Sequence, residues 1–425
     1  MRVLRHRDFR LLFLGQTASQ IGSQVVIVAL ALYISRTTGS ATDLGVVLAA
    51  AEIPFVGLLL LGGIWADRLP RHRVMIATDV IRAMLHTLLA VLIFSGSARI
   101  WNIAVIEALF GAASAFFQPA ETGVLPQTVP EAEIQPARAL TEASFNLAML
   151  LGPALATLLV FTFGAGWAFA LDAATFALGT ALLVPIRLRD RGGAADGDVE
   201  PAGSILGELR EGWREVSSRS WVWVTIVAYC GILLVCFAPW MTLGPLLARR
   251  LYHSLPLFGI LVATWGLGSV VASLVGTVWK PRRQLWIALA MCIVWPCTNV
   301  LFALGVPIWL LVAANLGGGF TTGLMMVAWE SSLARHIPPG ALSRVSSYDW
   351  MGSLALTPIG YVLAGPLAAA LGIRTVILSG GVIGIVLVVV SLLPRSTWNL
   401  PPAPDGATTG AVSKDQPSIS AAMSE

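Results

Sequence analysis

The sequence predicts an all-α membrane protein with twelve transmembrane helices in two pseudo-symmetric six-helix bundles, and three observations predict it. The chain of 425 residues is 56% hydrophobic and 12% charged, with a mean hydropathy of +0.79, whereas a soluble domain carries about 25% charged residues. Twelve apolar runs are each long enough to cross about 30 Å of hydrocarbon as a helix. Glycine landmarks recur at one spacing of 213 residues, Gly276 against Gly63 and Gly365-Pro366 against Gly152-Pro153.

The runs are expected at about 9–35, 42–66, 73–95, 100–125, 135–163, 166–186, 221–248, 255–279, 284–304, 307–334, 345–371 and 373–394. They divide the chain into an N-terminal bundle over 1–186, a linker over 187–220, a C-terminal bundle over 221–398 and a disordered tail over 399–425. Within the linker, Ile205, Leu206, Leu209, Trp213 and Val216 recur at helical spacing among charged residues, the pattern of an amphipathic helix lying on a membrane face. Of 27 basic residues, 21 fall on the side of the termini and five on the other, with Arg82 inside a span. The excess places both termini in the cytoplasm of a multi-pass cell-membrane protein. Residues Met1 to Arg10 lead into a run too long for a cleavable signal peptide.

The formal charge of +4 is accounted for by a bilayer face and calls for no nucleic acid. Cys230, Cys236, Cys292 and Cys297 all lie in apolar runs without metal-ligand spacing, which reads as packing thiols. Neither a G-x-x-x-x-G-K-[ST] phosphate loop nor an H-E-x-x-H metal motif occurs. No cofactor, metal or catalytic residue is expected. Trp65, Trp101, Trp167, Trp221, Trp223, Trp279, Trp286 and Trp309 fall near helix ends as interfacial anchors.

The duplicated units are an arrangement typical of secondary transporters. Between the second and third runs lies G-I-W-A-D-R-L-P-R-H-R, a short charged loop with Asp67, Arg68, Arg71, His72 and Arg73. Its counterpart after Gly276, G-T-V-W-K-P-R-R, has Lys280 in place of the acid. The first of these, with Gly63, Asp67, Arg68, Arg71 and Arg73 in place, resembles the loop motif of the major facilitator superfamily, and the resemblance extends over residues 5–395. It departs at Pro70, where the family usually has glycine, and proline cannot adopt a left-handed backbone. The segment F-F-Q-P-A-E-T-G-V-L-P, followed by A-R-A-L-T-E-A-S, is similar to a subgroup of twelve-helix drug exporters with macrolide-efflux and enterobactin-exporter relatives. Gly152 and Pro153 match the glycine-rich kink motif of the fifth helix in part, and a plain proline kink explains them equally.

Ionisable residues deep in a span are costly, so each is a functional candidate. Glu52 lies about 15 Å into the second helix at 1.5 Å per residue, and Glu107 lies among apolar residues of the fourth. Either carboxyl can exchange a proton or serve as a neutral packing group. Asp79 and Arg82 share a face of the third helix, as a structural ion pair. His86 reads as a satisfied core residue, and Glu142 and Asp172, nearer helix ends, rank lower. Polar faces on helices 1, 4, 7 and 10 nominate a substrate cavity at Gln16, Gln20, Gln24, Ser114, Gln118, Tyr229, Trp240, Asn315 and Thr322. In the resembled fold these four helices line the central cavity.

The expectation is a proton-coupled transporter exporting a small amphiphilic compound, such as a drug, antibiotic or siderophore-like metabolite, by alternating access. Its partners would be the substrate, protons and the lipid bilayer, and it would act as a monomer. The alternatives are a proton-coupled importer and a non-transporting membrane receptor. The resemblance implies that the Asp67 loop acts as a latch on the cytoplasmic side.

Overall fold

The computed structural model describes residues 3–130, 133–186, 213–276, 279, 281–337, 345, 348–349, 351–398 and 400, with backbone alone over 60–68 and at 135. Twelve of its helices are long and apolar enough to cross a membrane. In the N-terminal bundle these are α1 (Arg7–Thr37), α2 (Ala41–Arg68), α3 (Arg71–Phe94), α4 (Ile100–Thr128), α5 (Ile134–Thr162) and α6 (Ala165–Leu183). The C-terminal bundle holds α7 (Ser220–Tyr252), α8 (Pro256–Gly276), α9 (Gln284–Leu304), α10 (Ile308–His336), α11 (Met351–Leu371) and α12 (Ile373–Ser391). No strand occurs among the described residues. With an even number of crossings the chain ends share one face, here called the terminal end, and the opposite face is the distal end.

Two C-terminal helices depart from regularity. A π-turn interrupts α7 at Leu233–Phe237, a wide turn that commonly marks functional positions. The break in α9 falls at Cys292 and Ile293, because Pro296 has no N–H to give the Cys292 carbonyl.

The bundles meet along α2 against α11 and α5 against α8. Glycines let the backbones close: a Cβ on Gly45 would lie 2.2 Å from the Tyr361 carbonyl oxygen, and one on Gly365 2.5 Å from the Thr42 Cα. At the distal end one hydrophobic core runs through both bundles, joining Leu44, Val47 and Val160 to Leu243, Phe258 and Tyr361. Toward the terminal end the described cores are separate, one around Phe9, Met75 and Val124 and another around Trp221, Trp329 and Leu333. The bundles are therefore joined at the distal end.

Several expectations are corrected. The charged run from Gly63 is not a loop through Arg73, because α2 stays helical to Arg68 and only Leu69 and Pro70 separate it from α3. Gly276 likewise closes α8 rather than lying in a loop. Pro70 is the N-cap of α3 with φ −57°, so the position has no need of a left-handed residue. Trp101, Trp167 and Trp309 are exposed at distal helix starts, as anchors should be, but Trp221 is 2% exposed and packs edge-on against Trp329. The amphipathic linker residues Ile205, Leu206 and Leu209 lie outside the described residues, as do Lys280 and the tail over 401–425. The stretch 213–217 is helical, with Val216 buried. All four cysteines are free.

Candidate functional site

A cavity of about 300 Å³ lies between the bundles. From the N-terminal side Ser23, Ile27, Glu52, His86, Glu107 and Phe110 reach it, and from the C-terminal side Leu233, Phe237, Met241, Leu354, Thr357 and Tyr361 do. The π-turn of α7 supplies both Leu233 and Phe237. Most of the wall is apolar, and the two carboxyls and the imidazole all come from one bundle.

Behind that wall the N-terminal bundle holds a buried polar network. His86 donates Nδ1–H to Asp172 Oδ2 at 2.5 Å, which leaves Nε2 as the free nitrogen when the ring is neutral. That nitrogen stands 3.8 Å from Glu107 Oε1, too far for a direct hydrogen bond. Neither atom has another partner, although both are buried. The ring is held flat against Phe110, with centroids 4.1 Å apart, and edge-on to Phe169. One turn along α3, Arg82 pairs with Asp79 and lies over the rings of Phe117 and Phe176 at 3.9 and 4.5 Å. Arg82 also feels the charges of Asp172 and Glu121. An arginine can be buried here because an acid and two aromatic faces replace its water.

On sequence alone Asp172 and His86 rank low, and Glu121 does not stand out. The signal was available: all three lie within apolar spans, and the cost of burial applies to each as it does to Glu107.

Of the nominated residues, Glu52 and Glu107 reach the cavity together. Asp79 and Arg82 form one pair. The amide stripe of α1 runs toward α5: Ser144 Oγ donates to Gln20 Oε1 at 3.0 Å, and a Cβ on Gly152 would lie 2.4 Å from that of Gln24. Gly152 thus brings α5 onto α1, and Pro153 sits within the continuous α5. Gln16 is buried with Nε2 unpartnered. On α4, Ser114 donates to the Phe110 carbonyl and Gln118 is exposed. On α10, Asn315 and Thr322 donate to the carbonyls of Leu311 and Gly318 within their own helix. Trp240 and Tyr229 belong to a chain of rings, Trp240 tilted against Phe258 and Trp265, and Tyr229 tilted against Trp295. With Trp240 at 7% and Trp295 at 5% exposure, this chain is core, and Phe237 carries its edge to the cavity.

Gly63 lies within α2, and the side chains of Asp67 and Arg68 lie outside the described residues. Arg71 packs against α4, where a Cβ on Gly123 would meet its guanidinium at 2.1 Å. His72 donates to the Leu183 carbonyl at 3.0 Å, and Arg73 is exposed. Near the terminal end, Asp349 accepts from Trp329 Nε1 at 2.8 Å and Ser353 Oγ at 3.4 Å. Burial pushes its carboxyl above the ordinary value, and these donors hold part of the shift back.

Comparison with known proteins agrees with this architecture. The sequence profile of the family described as transmembrane secretion effector matches residues 1–284. The multidrug efflux pump Tap of Mycolicibacterium fortuitum is 28% identical, covering 91% of this chain and 95% of its own. Macrolide efflux protein A of Streptococcus pyogenes is 22% identical, covering 90% and 94%. The solved nucleoside transporter NupG superposes with a TM-score of 0.71 at 13% identity, over 94% of this chain and all of its own, a likeness of fold. The chain therefore belongs to the transmembrane secretion effector family of the major facilitator superfamily, and is a membrane transporter and not an enzyme.

Proposed function

We propose that this transporter exports a small amphiphilic compound in exchange for protons, by alternating access through the cavity between its bundles. The observation that carries the reading is the gap between His86 Nε2 and Glu107 Oε1, two buried polar atoms 3.8 Å apart with no other partner, at the cavity wall. Once that gap closes or one water bridges it, a proton on Glu107 can be given to His86 Nε2, with Asp172 holding the ring in the receiving orientation. Asp79, Glu107, Glu121 and Asp172 are four carboxyls against two cations, Arg82 and His86. If every group were ionised, two negative charges would lack an internal partner, and a site with that balance takes up and returns protons.

The apolar remainder of the wall suits the hydrophobic body of the substrate, with Glu52 available to a polar or basic group. The core shared by both bundles at the distal end supports a state closed there, and opening it would separate α2 from α11 and α5 from α8. With the termini cytoplasmic, as the arginine distribution favours, this state faces the cytoplasm and is ready to load. Asp67 at the end of α2, with Arg71 and Arg73 at the start of α3, would act as a latch when the terminal end closes.

The names of Tap and macrolide efflux protein A make a macrolide the first probe. In proteoliposomes with an imposed pH gradient, macrolide transport should follow the gradient and stop when a protonophore collapses it. Transport that continues unchanged without the gradient would reject proton coupling, and transport requiring the opposite gradient would identify an importer.

A further inference from the structure

We propose that the C-terminal bundle binds the phosphate of an anionic phospholipid in a second cavity, of about 440 Å³, at its terminal end. Three elements converge there: Arg282 and Arg283 at the start of α9, Arg335 in the last turn of α10, and Trp398 of the short helix Arg395–Trp398. No Asp or Glu lines the cavity. Among the described residues none of the three arginines has an ion-pair partner, whereas Arg82, Arg219 and His6 each have one.

The local sequence is poor in acids, the flanking ones being Glu215 and Asp405. From residue 216 to 404 the chain has ten Lys and Arg residues but only two acids, Glu330 and Asp349. Asp349 is engaged by Trp329 and Ser353. Glu330 and Asp349 lie on the chain joining these elements, and neither lines the cavity. Topology explains why cations gather at this face, but it does not explain their convergence on one hollow.

Helix polarity sharpens the point. Arg335 lies at a helix C-terminus, where a cation is favourable, but Arg282 and Arg283 lie at a helix N-terminus, where its sign is wrong. The N-cap of α9 makes no side-chain hydrogen bond, so its first N–H groups and the guanidinium groups together suit a phosphate. His336 is not a free donor, since its Nδ1–H is given to the Ser332 carbonyl at 2.9 Å.

The position favours a lipid over a soluble phosphate. The cavity lies where α9 begins and α10 ends, at the level of lipid headgroups, and Leu285 and Trp398 give it an apolar side. This is also the second copy of the charged run, with Lys280 where the first has Asp67 and with arginines of its own at 282 and 283. The charged side chains that line this hollow are all basic.

The test uses the full-length chain in nanodiscs of phosphatidylcholine with graded phosphatidylglycerol, reading retained lipid by native mass spectrometry. Wild type should retain phosphatidylglycerol in preference, and Arg282→Gln, Arg283→Gln and Arg335→Gln should each weaken retention about five-fold. The three residues are exposed, so the changes spare packing, and an unaltered elution profile checks this. Arg249→Gln with Arg250→Gln, at the distal end of α7, should leave retention unchanged. Equal retention in all variants would overturn the proposal. So would stabilisation by inorganic phosphate without any lipid preference, which would assign the cavity to a soluble phosphate compound.

Discussion

In the N-terminal bundle α4 crosses α2 where Gly111 meets the Ala51 carbonyl, and in the C-terminal bundle α10 crosses α8 where Gly319 meets the Trp265 carbonyl. An added Cβ would lie 1.9 Å from the oxygen in both. The backbone arrangement is thus repeated while the chemistry beside it is not. Glu52 follows the first carbonyl, and the indole of Trp265 belongs to the second. The N-terminal interior carries Asp79, Arg82, His86, Glu107 and Asp172, whereas the C-terminal interior carries Trp240, Trp295, Asn299 and Asn315. A buried charge is tolerable only beside its compensators, so charges accumulate in one bundle rather than spreading over two. The other bundle is then free to offer apolar surface.

The strongest way to break this comparison is to remove one compensator. Arg82→Gln leaves the buried Asp79 without its partner and should destabilise the N-terminal bundle by about 3–5 kcal/mol. Asp79→Asn in the same chain should recover most of that loss, and thermal unfolding in detergent measures both. A double variant as unstable as Arg82→Gln would show that the aromatic contacts, not the ion pair, hold the site together.

Glu107→Gln tests the functional side. It keeps the shape of the side chain but cannot exchange a proton with His86, so gradient-driven transport should fall on the order of 100-fold, while substrate binding is retained. Wild-type rates in this variant would move the proton site to Glu52, and Glu52→Gln would then carry the loss.

The twelve spans were legible because crossing hydrocarbon sets a length that composition alone reveals. The end of α2 was not, since charges at Asp67 and Arg68 mark where the apolar run stops and not where backbone hydrogen bonding stops. The α1 stripe of Gln16, Gln20 and Gln24 was legible as one face, but the helix it would meet was not, and Ser144 and Gly152 place that face on α5. The His86 pairing with Asp172 joins residues far apart in the chain. A single sequence carries no signal for such a pair beyond the cost of each group alone.

Gly111→Ala and Gly319→Ala ask how closely the shared skeleton is matched. Each forces a Cβ against a backbone carbonyl that cannot rotate away, so each should cost about 1–3 kcal/mol. Equal losses in thermal unfolding would support equivalent crossings. A large loss at one and none at the other would mean that only one bundle depends on its close approach.

The mildest difference concerns the turns between the second and third helices of each bundle, and Pro70 isolates it. The family usually has glycine there, yet at φ −57° and ψ 106° Pro70 caps α3 in a conformation that proline favours. Pro70→Gly should therefore lower stability by only about 1 kcal/mol, by freeing the unfolded chain, and leave transport unchanged. A marked change in transport at nearly unchanged stability would mean that this turn adopts another backbone conformation during the cycle, one that glycine reaches and proline forbids. The latch would then depend on the motion of the turn as much as on the charge of Asp67.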